Sequence, residues 1–150
     1  MRRIILGLFF LIHPPLLIAQ PQPWMKQANP NELGMFLLVS NECRIDVSSV
    51  EAAIKSEFLR ARVRPTEDLQ LGLVVEVSCI DVRVAERLVG QAIAVAVRFG
   101  TGESGVDMLY AVPKHGGVGT HAAEDFESDV PDYISDLVSV ALSDYLEANL

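Results

Sequence analysis

Six apolar residues at strict alternation, Leu69, Leu71, Leu73, Val75, Val77 and Cys79, make the strongest local pattern in the chain. Period two predicts a strand with one buried face, and Gln70, Gly72, Glu76 and Ser78 supply the more polar side. A second alternation follows Gly90: Ile93, Val95, Val97 and Phe99, with small Ala92, Ala94 and Ala96 between them. Asp81 to Leu88 reads as a turn or short extension, Gly100 to Gly105 as a turn, and Met108 to Val112 as a further strand ended by Pro113. Upstream, Met35 to Val39 is a continuous apolar run, and Cys43, Ile45 and Val47 follow it. Together they predict one strand with an irregular middle.

Two stretches have helical periodicity instead. Val50, Ala53, Ile54, Phe58 and Ala61 recur at three- and four-residue steps. Ser48-Ser49-Val50-Glu51 fits a capping box at the start of this helix, and Pro65 predicts its end by disfavouring helical geometry at Arg64. Near the carboxyl end, Phe126, Val130, Tyr133, Ile134, Leu137, Val138, Ala141 and Tyr145 form one stripe over about five turns. Glu124, Asp125, Glu127, Asp129 and Asp132 crowd its amino end, where the helix dipole favours negative charge. Pro131 leaves two readings: a helix starting near Asp129 with proline in its first turn, or a longer helix kinked there.

The order β-α-β-β-β-α predicts an α+β domain over residues 34–150. One four-stranded mixed or antiparallel sheet with both helices on one face would bury every stripe and leave the other face more open.

The first residues change the address rather than the fold. Met1-Arg2-Arg3 precedes an apolar run from Ile4 to Ile12, and after His13-Pro14-Pro15 comes Leu16-Leu17-Ile18-Ala19. A basic head, a short apolar middle and a small residue predict a signal peptide over 1–19, cleaved after Ala19. A membrane anchor needs roughly 20 continuous apolar residues, and the His13-Pro14-Pro15 break comes too early. Export to the periplasm or medium is expected, without stable membrane insertion after cleavage. Cys43 lies too far from the apolar run to be a lipid-attachment site. Residues 20–33, rich in proline, glutamine and asparagine, read as a disordered leader in which Trp24 and Met25 either dock or stay loose.

Cleavage removes Arg2 and Arg3, leaving ten basic against twenty acidic residues. Such a field disfavours nucleic acid and anionic membrane surfaces as partners. Outside the cytoplasm, Cys43 and Cys79 are most simply one disulfide, with a pair of buried thiols as the alternative.

Several motifs carry less chemistry than their spelling suggests. Gly100-Thr101-Gly102-Glu103-Ser104-Gly105 resembles a dinucleotide loop, but a strand rather than a helix is predicted after it, and Glu103 would repel phosphate. Ser104 lacks a nucleophile-elbow context, because Val106 replaces the second glycine. His115-Gly116-Gly117-Val118-Gly119-Thr120-His121 reads as a structural loop. Its alternative is a small-ligand or metal site using His115, Gly117, Gly119 and His121, with Asp125 or Glu124 as a third ligand. Arg60, Arg62 and Arg64 stabilise a helix end or meet an acidic partner. No nucleophile, base and orienter set is evident, no cofactor is expected, and the reading leans away from an enzyme.

Val130 to Leu150, closing in Asp144-Tyr145-Leu146-Glu147-Ala148-Asn149, resembles the end of a group of small exported bacterial proteins. The strand–helix–strand layout of Leu38 to Cys79 is similar in that group, and the element order is loosely similar to the TolB amino-terminal domain. The resemblance implies a fold and no activity. The expected function is a non-enzymatic interaction module for an envelope or secreted protein.

Overall fold

The structure is a computed structural model that describes residues 25–67, 71–100, 110–122 and 126–150. The expected signal peptide with Ala19, Trp24, the Gly100–Gly105 turn beyond Gly100, Met108, Glu124 and Asp125 lie outside the described residues.

Among the described residues seven elements follow in order: β1 (Glu32–Val39), α1 (Val47–Arg60), β2 (Arg64–Thr66), β3 (Gly72–Val84), β4 (Arg87–Gly100), β5 (Tyr110–Ala122) and α2 (Phe126–Ala148). They build one mixed sheet in the order β2-β1-β3-β4-β5. β1 runs parallel to β2 and β3, while β3, β4 and β5 are antiparallel. The fold is α+β as expected, with five strands rather than four.

The two alternating stripes do what period two requires. Leu71 to Cys79 and Ile93 to Phe99 turn their odd-numbered residues to one face, where none exceeds 4 % exposure. There they meet Val50, Ile54 and Phe58 of α1 and Val130, Ile134, Val138, Ala141, Leu142 and Tyr145 of α2 in a single core.

The fifth strand exists because α1 ends before Pro65. Val63 N–H bonds Phe58 C=O at 2.9 Å and Arg62 N–H bonds Leu59 C=O at 3.1 Å, with Arg62 at φ 59°. This pair of bonds is a Schellman closure, with buried Val63 packed back on the helix. The released chain, Pro65 included, lies beside β1 as β2. At the other end the cap is Asp46 and not the Ser48–Glu51 box. Asp46 accepts from Ser48 N–H, while Glu51 pairs with Lys55.

Three further boundaries move. β1 stops at Val39, so Cys43 and Ile45 lie in a loop. β1 starts at Glu32, inside the stretch read as a leader, and Met25 takes the docked alternative at 1 % exposure. Asn149 holds that segment, donating from Nδ2 to Met25 C=O (3.0 Å) and accepting from Gln27 N–H (2.8 Å). Lastly, α2 is the longer of the two readings, with Pro131 inside it.

Candidate functional site

The segment read as a glycine loop is instead the body of β5. Gly116, Gly117, Val118 and Gly119 pair with Ala96, Val95, Ala94 and Ile93 of β4. The strand passes through Pro113, which is tolerated because β5 is an edge. Glycine serves clearance here: a Cβ at Gly116 would sit 2.8 Å from Val95 C=O, and one at Gly117 would overlap the Tyr133 hydroxyl of α2.

This geometry separates the two histidines proposed as co-ligands. Six residues of extended strand set their Cα atoms about 20 Å apart. His115 is fully buried, and its Nε2 lies 2.7 Å from Asp144 Oδ2 on α2. Its ring meets Phe99 edge-on, and Phe99 stacks on Tyr145. The Tyr145 hydroxyl donates to Glu32 C=O (3.2 Å), and burial pushes its pKa up to about 12. The His121 side chain lies outside what is described. His115 is therefore a packed joint between β5 and α2, and Asp144 is its partner. Among the described residues no cluster of three His, Cys, Asp or Glu could hold a metal ion.

Cys43 and Cys79 are bridged, with Cα atoms 5.0 Å apart. The bridge fastens the loop after β1 to the middle of β3. Gln91 fastens the same loop to β4. Its Nε2 donates to Glu42 C=O (2.8 Å) and Asp81 Oδ1 (2.9 Å), and its Oε1 accepts from Arg44 N–H (3.1 Å). The Gln91 bond, with help from Arg83 and Arg44, holds the Asp81 carboxyl below its ordinary pKa. Gln91 was legible in principle: it occupies a buried-parity position directly before Ile93 and Val95, where a polar side chain must find partners.

Two of the three arginines take partners within the chain. Arg60 pairs with Glu57 (2.9 Å), Arg64 pairs with Glu32, and Arg62 occupies the left-handed helix end.

The remaining feature is the sheet face away from the helices. Its even-numbered positions carry Phe36 and Leu38 on β1, and Val74, Glu76, Ser78, Ile80, Val82 and Val84 on β3. Ala92, Ala94, Ala96 and Arg98 continue it on β4, with Gly116 and Val118 on β5. Leu38, Ile80, Val84 and Val118 are each more than half exposed. Of these, Val118 borders a shallow hollow of about 440 Å³ floored by Ser78, Ala94, Ala96 and Gly116, while Leu38 lies on β1 and Ile80 and Val84 further along β3. Glu76 and Arg98 pair across one end of it at 3.4 Å. Among the described residues the face is thus an apolar trough with the Glu76–Arg98 pair at one end. Its signal in the sequence is that Ile80, Val82 and Val84 continue the apolar pattern on the wrong parity for the core.

No protein-family model and no curated protein sequence matches the chain. Among solved structures, it is similar to a minor lipoprotein from Acinetobacter baumannii at 10% identity and TM-score 0.32, covering 73% of this chain and 86% of that one. Rare lipoprotein B from Shewanella oneidensis aligns at 11% identity and TM-score 0.33, covering 77% and 92%. A lipoprotein from Caulobacter crescentus aligns at 10% identity and TM-score 0.29, covering 76% and 86%.

Proposed function

We propose that this chain is an exported, non-enzymatic interaction module that docks an apolar helix of another envelope protein on its open sheet face. The observation that carries this reading is the apolar trough itself. A sheet with one face packed by helices and the other lined by Leu38, Ile80, Val82, Val84 and Val118 is a layered fold short of one layer. Small residues on the floor let a helix approach closely, and contiguous exposed apolar surface marks interaction sites on soluble domains. Glu76 and Arg98 at one end supply a polar stop that would favour one register over others.

A photoreactive side chain placed at Ala94 tests this in the native envelope. Crosslinks to one protein from Ala94, lost on Ala96→Arg and absent from a probe at Lys55 on α1, are the expected result. Equal crosslinking from both probes, or none from Ala94, would overturn it. Nothing in the geometry favours a small-ligand or metal site at His115–His121, since the two residues lie far apart along one strand.

A further inference from the structure

The two edges of β3 are unequal beyond its middle. β1 accompanies β3 from Gly34↔Gly72 to Val39↔Val77, whereas β4 stays paired to Val84↔Arg87, through a register shift between Val82 and Arg83 whose extra residue, Val89, lies on β4 and leaves β3 regular. On the β1 side, Gly34 N–H bonds Leu71 C=O (3.0 Å) and Ser40 N–H bonds Val77 C=O (2.9 Å). Backbone groups of a strand alternate in direction, so odd-numbered residues of β3 face this side and even-numbered ones face β4. The N–H and C=O of Asp81 and Arg83 therefore point out of the hairpin edge. Among the described residues no backbone partner meets them. Cys79 points the same way, but the disulfide brings Cys43 alongside it. The free edge is Ile80–Val84, and all of it except Asp81 is exposed.

That edge reads Ile80-Asp81-Val82-Arg83-Val84, and it is complementary to its own reverse. We propose that two copies of this chain join through this edge as an antiparallel pair centred on Val82. Asp81 then stands opposite the second copy's Arg83, and Arg83 opposite its Asp81. Ile80 stands opposite Val84, and Val82 opposite itself. The outward groups of Asp81 and Arg83 fall in the hydrogen-bonded pairs, and Val82 falls in the non-hydrogen-bonded one, as an antiparallel ladder requires. Other registers fail. Centring on Asp81 or on Arg83 sets like charges directly opposite, which is destabilising. Centring on Ile80 brings Asp81 against the Cys43 loop, and a half-step shift sets outward groups against inward ones.

The charges are already in position. Within one copy Asp81 accepts from Arg83 (3.1 Å) and lies 3.5 Å from Arg44, while Gln91 orients its other oxygen. Pairing adds a cross-strand guanidinium to each carboxylate while Gln91 and Arg44 stay in place. The result is an isologous two-fold dimer, with Ile80, Val82 and Val84 of both copies on one continuous apolar face. Five residues from each copy make a small interface, so the association is weak and reversible. It rests on the strand edge alone, so it stands or falls separately from helix docking in the trough.

Sedimentation velocity of the exported, purified protein from about 1 µM to about 1 mM reads the association directly, over the range expected of a small interface. The wild type should dimerise at the upper end. Arg83→Asp alone and Asp81→Arg alone each set like charges opposite, and each should weaken self-association roughly tenfold or more. Mixing the two variants restores both pairs and should restore a heterodimer. A wild type that stays monomeric throughout, or variants that self-associate unchanged, would overturn the proposal. Because Asp81→Arg also disturbs the Gln91 contact, Val82→Cys provides a second reading. It should oxidise to a covalent dimer where Val118→Cys does not, and equal oxidation of the two would count against this edge.

Discussion

Ser135 on α2 donates its hydroxyl to the Glu57 carboxylate on α1 at 2.5 Å, and Glu57 is 3 % exposed. The two helices are thus tied by a bond to a buried charge. Arg60 reaches the same carboxylate from a side chain that is 72% exposed. Hydrogen bonds to charged groups contribute about 1.5–3 kcal/mol, whereas exposed ion pairs contribute about 0–1. Ser135→Ala should therefore lower stability to urea by about 1.5–3 kcal/mol, and Arg60→Ala by less than about 1. The reverse ranking would show that the salt bridge, not the hydroxyl, holds the helices together.

Gly117 and Tyr133 make a second test. A methyl group at Gly117 overlaps the Tyr133 hydroxyl, while the ring carbon behind it lies at 3.4 Å. Gly117→Ala should cost about 1–3 kcal/mol through overpacking. In the Tyr133→Phe background most of that loss should disappear. Additive losses in the double variant, measured by thermal unfolding, would place the strain elsewhere.

Acid should weaken the cap of α1. Asp46 Oδ2 accepts from the Ser49 hydroxyl (2.6 Å) and Oδ1 from Ser48 N–H (3.0 Å). These bonds, the Ser49 one first, hold its carboxyl below the ordinary 3.8. A group lowered in the folded state contributes fully above its unfolded pKa, and the contribution is lost as pH falls through the folded value. Asp81 behaves in the same sense through Gln91. Stability should fall as pH drops below about 4. Asp46→Asn keeps a good cap without the proton. Its unfolding midpoint should vary less with pH in that range than the wild type's, and an unchanged pH slope would exclude Asp46 as a source.

The turn joining β3 to β4 offers a gain. Ala85 and Glu86 sit at φ 47° and 68°, the left-handed pair that a two-residue hairpin turn needs and that side chains resist. Replacing them with Asn-Gly should raise stability by about 1–2 kcal/mol. A loss of stability would show that some contact of Ala85 or Glu86 outweighs the backbone strain.

Much of the fold could be read from periodicity because its two longest apolar alternations face one core. Leu73, Val75 and Val77 against Ile93, Val95 and Val97 have one way to be buried together, and α1 and α2 each carry a single stripe to cover them. What escaped was governed by backbone bonding or by distant residues. β2 depends on the Val63–Phe58 closure, which uses an arginine where glycine is the usual signal. The Gly116–Gly119 strand looked like a loop because the crowding that selects glycine comes from Val95 on β4 and Tyr133 on α2. Neither is near it in the chain. His115 likewise took its partner from Asp144, 29 residues away. A more open face was expected from the alternation, but its apolar lining showed in the sequence only as Ile80, Val82 and Val84 on the unexpected parity of β3.

The Cys43–Cys79 bridge has a mechanical side. It spans a sequence separation of 36 residues that includes all of α1 and β2. A chain drawn taut from its two ends would lengthen by about 120 Å less with the bridge intact, at about 3.3–3.6 Å per residue. α1 and β2 would then ride along inside an inextensible loop, shielded from tension that β1 on one side and the rest of the sheet on the other must bear.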